Sequence, residues 1–120
     1  MYSPAVLEHF KNPRNAGELP DATATVEVTN PACGDIMQLA VRVVEGCIAE
    51  ARFKTRGCVT AIACGSLLTE LLRGKTLEEA RRITYMQISE ALSGLPPATV
   101  HGSQLAADAL EAVLAALAQP

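Results

Sequence analysis

The stretch from Ile36 to Thr55, IMQLAVRVVEGCIAEARFKT, decides the fold. Over 36–44, Met37, Leu39, Val41 and Val43 alternate with Gln38 and Arg42. A period of two belongs to a strand with one face in a core and the other in water. Glu45-Gly46 reads as a turn. Beyond it, over 48–55, Ala49, Ala51 and Phe53 alternate with Glu50, Arg52 and Lys54. Two half-buried strands joined by so short a turn form an antiparallel hairpin. Just upstream, Ala24 to Asn30 reads as a further strand, with Val26 and Val28 on one face, and extends the hairpin to a meander.

The segments around the meander change period. Ser3-Pro4 offers an N-cap and a first helical residue. Val6, Leu7 and Phe10 then share a helical face, Asn12-Pro13 stops the helix, and Gly17 to Asp21 is a loop. After the meander, Val59 to Leu72 places Ile62, Leu67, Leu68, Leu71 and Leu72 on a helix ended by Gly74. Thr76-Leu77-Glu78-Glu79 is a capping box that opens the next helix. Thr84 to Leu92 gives another, closed by Gly94. Leu95-Pro96-Pro97 imposes an extended linker, because proline lacks a donor and restricts its predecessor. A last helix runs from about Ser103 to Ala118, with Leu105, Ala109, Val113 and Leu117 roughly in line. Strands followed by helices imply an α+β fold. No repeat or linker divides the chain, so one domain spanning 1–120 is expected.

Composition narrows the function classes. Hydrophobic residues make up 49% of the 120, enough for one core, and aromatics only 3%, so that core is aliphatic. A net charge of -3 argues against nonspecific binding to nucleic-acid phosphates. No run of about 18 apolar residues suggests a membrane span. Met1-Tyr2-Ser3-Pro4 lacks the basic and apolar regions of a signal peptide. The expectation is a cytoplasmic protein with no nucleic-acid or membrane partner. Its four cysteines are then free thiols or metal ligands before they are disulfides.

Those cysteines differ in setting. Cys33, in Pro31-Ala32-Cys33-Gly34-Asp35, and Cys58, in Arg56-Gly57-Cys58, each adjoin a glycine at an expected turn. Asp35 lies two residues beyond Cys33, which in extended chain puts both side chains on one side. His101 follows the proline pair. Cys58 and His101 are expected immediately before helices, where exposed N–H groups carry partial positive charge. Two thiols, a carboxylate and an imidazole suit zinc or an iron–sulfur centre. Two cysteines 25 residues apart match no compact zinc motif, however, and on spacing alone Cys33 and Cys58 are either ligands or ordinary turn thiols. Cys47 and Cys64 read as small buried hydrophobes, Cys47 on the apolar face with Ala49 and Ala51. Cys64 is about 600° around and roughly 9 Å along a helix from Cys58, too far to share a metal with it. His9 reads as a surface side chain. Lys54 and Arg56 flank Cys58 on a solvated strand face.

Several longer motifs resemble the scaffold family of iron–sulfur cluster assembly, IscU and the N-terminal domain of NifU. They are Tyr2-Ser3 through His9-Phe10 with Asn12-Pro13-Arg14-Asn15-Ala16-Gly17; Asn30-Pro31-Ala32-Cys33-Gly34-Asp35; Ala51 through Cys58 followed by Ala61-Ile62-Ala63; and Leu95-Pro96-Pro97, His101 and Leu105-Ala106-Ala107-Asp108-Ala109. The resemblance implies a three-stranded antiparallel sheet packed against helices. It also implies that Cys33, Asp35, Cys58 and His101 converge at one exposed end and bind an iron–sulfur cluster, expected to be [2Fe–2S], or zinc. It implies a non-enzymatic scaffold or carrier that works with a cysteine desulfurase, cluster-acceptor proteins and an Hsp70/J-type chaperone.

Two departures stand out. The family carries a third cysteine directly after the histidine, where this chain has Gly102. That puts acceptance of persulfide sulfur in question. The chaperone motif continues Val-Lys in the family but Ala98-Thr99 here, which weakens that docking. An insertion usual in SufU-like proteins is not evident, so the resemblance is closer to IscU and NifU. Two alternatives stay open: a zinc-binding sulfur-acceptor or accessory protein, and a degenerate paralogue that only binds a desulfurase or chaperone.

Overall fold

The computed structural model describes residues 2–93 and 100–118. The expected meander is present. Strands β1 (Ala24–Thr29), β2 (Ile36–Val44) and β3 (Cys47–Arg56) form one antiparallel sheet in the order β1-β2-β3. Glu45 and Gly46 take φ of 52° and 78°, left-handed at both positions, as the tight primed hairpin turn requires. Met37, Leu39 and Val41 from β2 and Ala51 and Phe53 from β3 enter the core.

The alternation expected on β3 breaks at Ala49. Arg42 pairs with Glu50 and Val43 with Ile48, so Ala49 is the extra residue of a β-bulge. Ile48 turns inward and is fully buried, whereas Ala49 is exposed. Cys47 is consequently half-buried and not part of the apolar face.

The outer edge of β3 is not left open. Gly17 N–H donates to Phe53 O at 2.9 Å and Phe53 N–H to Asn15 O at 3.0 Å. Gly74 N–H donates to Ile48 O and Ile48 N–H to Lys75 O, each at 2.8 Å. The loop expected over Gly17 to Asp21 is therefore anchored from its start, and an aggregation-prone edge is covered.

Helices pack on one face of the sheet. They are α1 (Pro4–Lys11), α2 (Val59–Leu72), α3 (Leu77–Ala80), α4 (Tyr85–Ala91) and α5 (Val100–Leu117). The capping box at Thr76 is present, and Thr84 forms a second one with Gln87. Helix α2 lies centrally, against β3, α1, α4 and α5, while α5 covers β1 and β2. Leu68 and Leu72 of α2 and Leu105, Ala109 and Val113 of α5 have no exposed surface, which makes the core aliphatic.

Three sequence readings of the helices change. On α1, Val6 and His9 are buried, and Leu7 and Phe10 face outward. The helix docks along its His9 edge because a hydroxyl on α2, Ser66, meets the imidazole there. Helix α5 begins at Val100, three residues before the expected Ser103. Ser103 is already helical. Its Oγ donates back to Val100 O at 2.8 Å inside the first turn. His101 thus lies within the helix and not ahead of it. The expected linker Leu95-Pro96-Pro97, the helix stop at Gly94 and Ala98-Thr99 lie outside the described residues.

Candidate metal centre

Three segments remote in sequence touch at one end of the sheet: the β1–β2 connection, the start of α2 and the start of α5. Asn30, only 5% exposed, organises the first. Its Oδ1 accepts from Ala32 N–H at 2.8 Å, its carbonyl accepts from Gly34 N–H at 2.7 Å, and its own N–H donates to Asp35 O at 2.8 Å. Its Nδ2 reaches across to donate to His101 O at 3.4 Å. Gly34 has φ of 77°, so the chain turns between Cys33 and Asp35 instead of running extended as the sequence reading assumed. Cys33 stands exposed on this turn.

Asp35 points at the start of α2. Cys58 is the N-cap residue, as expected, but its side chain caps nothing. Asp35 acts in its place: Oδ2 accepts from Cys58 N–H at 3.3 Å. The partial positive charge of a helix N-terminus favours a carboxylate there. Gly57 makes room for it. A Cβ on Gly57 would lie 2.6 Å from Asp35 Cγ and 2.7 Å from Oδ2. The Cys58 thiol turns to the fully buried Thr60, with Sγ 3.0 Å from Oγ1.

The third segment closes on the second. A Cβ on Gly102 would lie 2.9 Å from the carbonyl carbon of Thr60 and 3.0 Å from Ala61 N. The first turns of α5 and α2 are therefore in backbone contact at this glycine. Next to it, His101 Nδ1 is shut off from solvent and has no hydrogen-bond partner among the described residues. A buried polar atom without a partner is uncommon in proteins, and an unpaired imidazole nitrogen is a donor for a metal.

The structure joins Asp35 directly to Cys58 and ties His101 to the Cys33–Asp35 turn through Asn30. It does not gather the donor atoms. Among the described residues, no three His, Cys, Asp and Glu side chains are close enough to share one metal ion. The donor set nevertheless fits a thiophilic metal. It combines two exposed thiols, a carboxylate and an imidazole with an orphaned nitrogen.

The other candidates separate clearly. Cys64 has no exposed surface, and burial, with a smaller contribution from Cys58, pushes its thiol up to about 12. It is the core residue expected. His9 is buried, contrary to its surface reading. Its Nδ1 and Ser66 Oγ share a hydrogen bond at 2.7 Å, Arg14 N–H donates to the same Oγ at 2.8 Å, and its Nε2 is 3.4 Å from Glu70. Burial, with Arg14, holds the imidazole pKa below its ordinary value against the opposing pull of Glu70 and Glu8. Lys54 and Arg56 are exposed as expected, with Lys54 paired to Glu18 at 2.9 Å.

Asn30 and Thr60 escaped the sequence reading. The Asn-Pro dipeptide at Asn30-Pro31 is a turn signal that points to the first. Nothing local marks Thr60.

Known proteins share this arrangement of chain. Residues 1–119 match the family model described as NifU-like N terminal domain. An iron–sulfur cluster assembly scaffold protein IscU from Haemophilus influenzae is 50% identical over 118 residues, covering 95% of this chain and 93% of the relative. IscU 1 from Archaeoglobus fulgidus is 49% identical over 110 residues, 92% of this chain and 72% of the relative. The crystal structure of a putative cluster assembly scaffold protein for the SUF system from Fervidobacterium islandicum AW-1 superposes with a TM-score of 0.78. It shares 21% identity and covers 94% of this chain and 96% of that one, a likeness of fold alone. A family match over nearly the whole length and relatives at half identity give one conclusion: the chain belongs to the NifU-like N-terminal domain family.

Proposed function

We propose that this protein is an iron–sulfur cluster assembly scaffold, a single domain over 1–120, which holds iron and sulfide at Cys33, Asp35, Cys58 and His101. The observation that carries the reading is the seating of Asp35 on the Cys58 end of α2, in a chain half identical to proteins named as IscU scaffolds. The cluster is cargo, not a resident cofactor, and the protein is not an enzyme. Its exposed thiols take the soft ligand positions. Asp35 supplies a hard oxygen beside soft thiolates, a ligand more easily displaced when an acceptor protein takes the cargo. His101 brings a neutral nitrogen. Mixed Cys/His ligation is sound chemistry for a [2Fe–2S] cluster and raises its potential. Sulfur comes from a cysteine desulfurase, and the setting is the cytoplasm. No described helix is long and apolar enough to cross a membrane.

The second reading is a zinc-binding accessory protein in sulfur trafficking. Gly102 favours it, because one thiolate fewer leaves two sulfurs, one nitrogen and one oxygen, a complete tetrahedral zinc set. Anaerobic reconstitution with iron and sulfide, followed by Mössbauer and X-ray absorption spectra, separates the two. A cluster with mixed sulfur, nitrogen and oxygen ligation is the expected result. Failure to take up a cluster while retaining zinc tightly sinks the first reading and leaves the second.

A further inference from the structure

Thr60 is a buried hydroxyl that the reading above leaves idle. It occupies the second position of α2, has no exposed surface, and places Oγ1 3.0 Å from the sulfur of Cys58. A buried hydroxyl without a partner costs about 1–3 kcal/mol. Cys58 is the only side chain that meets this one within hydrogen-bond range among the described residues. The contact is held from behind. Gly102 lets the first turn of α5 press on the Thr60 backbone, where even a methyl group would come within 3.0 Å of the Thr60 carbonyl. Thr60 therefore has little freedom to withdraw, whereas Cys58 is exposed.

With a free thiol, either atom can donate. Ligation settles the direction. A metal-bound cysteine has lost its proton, so the only hydrogen left in the pair is on the threonine. We infer that Thr60 is a positioning residue for the Cys58 ligand: its hydroxyl donates to the thiolate, fixes the direction of the sulfur and draws electron density from it. Partners of this kind orient metal ligands, and their loss weakens metal affinity by about 10–100-fold. A hydrogen bond to sulfur also lowers the energy of its donor electrons, so a sulfur-to-metal charge-transfer band moves to higher energy. The same bond is one of the protein's means of setting the potential of a cluster. The inference rests on Cys58 being a ligand, and it adds a residue with no donor role of its own.

The test uses the metal-free protein titrated with cobalt(II), in the wild type, Thr60→Val and Thr60→Ser. Valine keeps the shape and removes the hydroxyl, while serine keeps the hydroxyl. Thr60→Val is expected to bind cobalt about tenfold or more weakly, with its sulfur-to-cobalt band shifted to lower energy, and Thr60→Ser is expected to restore both. Thermal melts of the metal-free variants distinguish a structural role. If Thr60→Val binds as the wild type does with an unshifted band, the inference fails while the ligand reading stands. It fails equally if affinity falls only in step with apo stability and the band does not move. A wild type without a sulfur-to-cobalt band overturns the ligand assignment of Cys58 itself, and this inference with it.

Discussion

Asp35 Oδ2 accepts a hydrogen bond from the backbone N–H of Cys58 at 3.3 Å, across 23 residues of sequence. One proposed ligand thus caps the helix that starts at another. Binding geometry and fold stability share this contact, and Gly57 controls it.

Gly57→Ala places a Cβ 2.6 Å from Asp35 Cγ, so the carboxylate must leave the α2 N-terminus. Loss of a carboxylate at a helix start costs about 0.3–1 kcal/mol. Urea denaturation should show that small loss. Cobalt(II) affinity should fall by about tenfold or more, because a displaced ligand support acts more strongly on the metal than on the fold.

Gly102→Cys does not simply return the missing thiolate. Alanine for glycine inside an unconstrained helix stabilises by about 1 kcal/mol, but at Gly102 any Cβ meets the Thr60–Ala61 backbone at 2.9–3.0 Å. Backbone cannot swing aside as a side chain can. Both Gly102→Ala and Gly102→Cys should therefore destabilise, by about 1–3 kcal/mol. Calorimetric melting of the two variants checks the sign. A gain in melting temperature for Gly102→Ala would show that the helices do not meet as closely as described.

Acid should loosen the α1–α2 contact. The His9 pKa in the folded state is below its ordinary value of 6.5, chiefly through burial. The unfolded chain therefore binds this proton more readily than the folded one. The contribution is fully present above about pH 6.5 and is lost as pH falls from there through the depressed folded value. Unfolding free energies between pH 7.5 and 5 should decline, and His9→Gln, which has no proton to gain, should flatten that part of the profile.

Alkylation should rank the thiols. Cys33 and Cys58 are exposed, whereas Cys64 is fully buried and its thiol is pushed up to about 12. The thiolate is the reactive form. Iodoacetamide at pH 8 should label Cys33 and Cys58 under native conditions and reach Cys64 only after denaturant is added, as peptide mass spectrometry would show. Prior labelling of Cys64 in the folded protein would contradict its place in the core.

The legible parts of the fold were those written in local pattern. The period of two over Ile36 to Val44 located β2 to the residue, and Thr76 and Thr84 marked helix starts because a cap hydroxyl works within three residues of itself. Errors arose where a distant partner overrode the pattern. Ala49 was displaced by a bulge set by pairing with β2. His9 looked solvent-facing until Ser66, 57 residues away, supplied its partner.

The candidate site divides along the same line. Glycine-flanked thiols, an acidic neighbour and a histidine near the last apolar helix are chemistry that one chain displays without folding, and the family resemblance implied one site for them. The sequence by itself determined which donors exist and which segments carry them, because residue type and short-range spacing are local properties. Tertiary structure alone decided that Asp35 caps the Cys58 end of α2, that Asn30 ties the first turn to His101, and that Gly102 lets two helix starts touch with Thr60 behind the sulfur. Those relationships are distances of a few ångströms between residues far apart along the chain. Packing of α2 and α5 on the sheet sets them, and no local pattern encodes them.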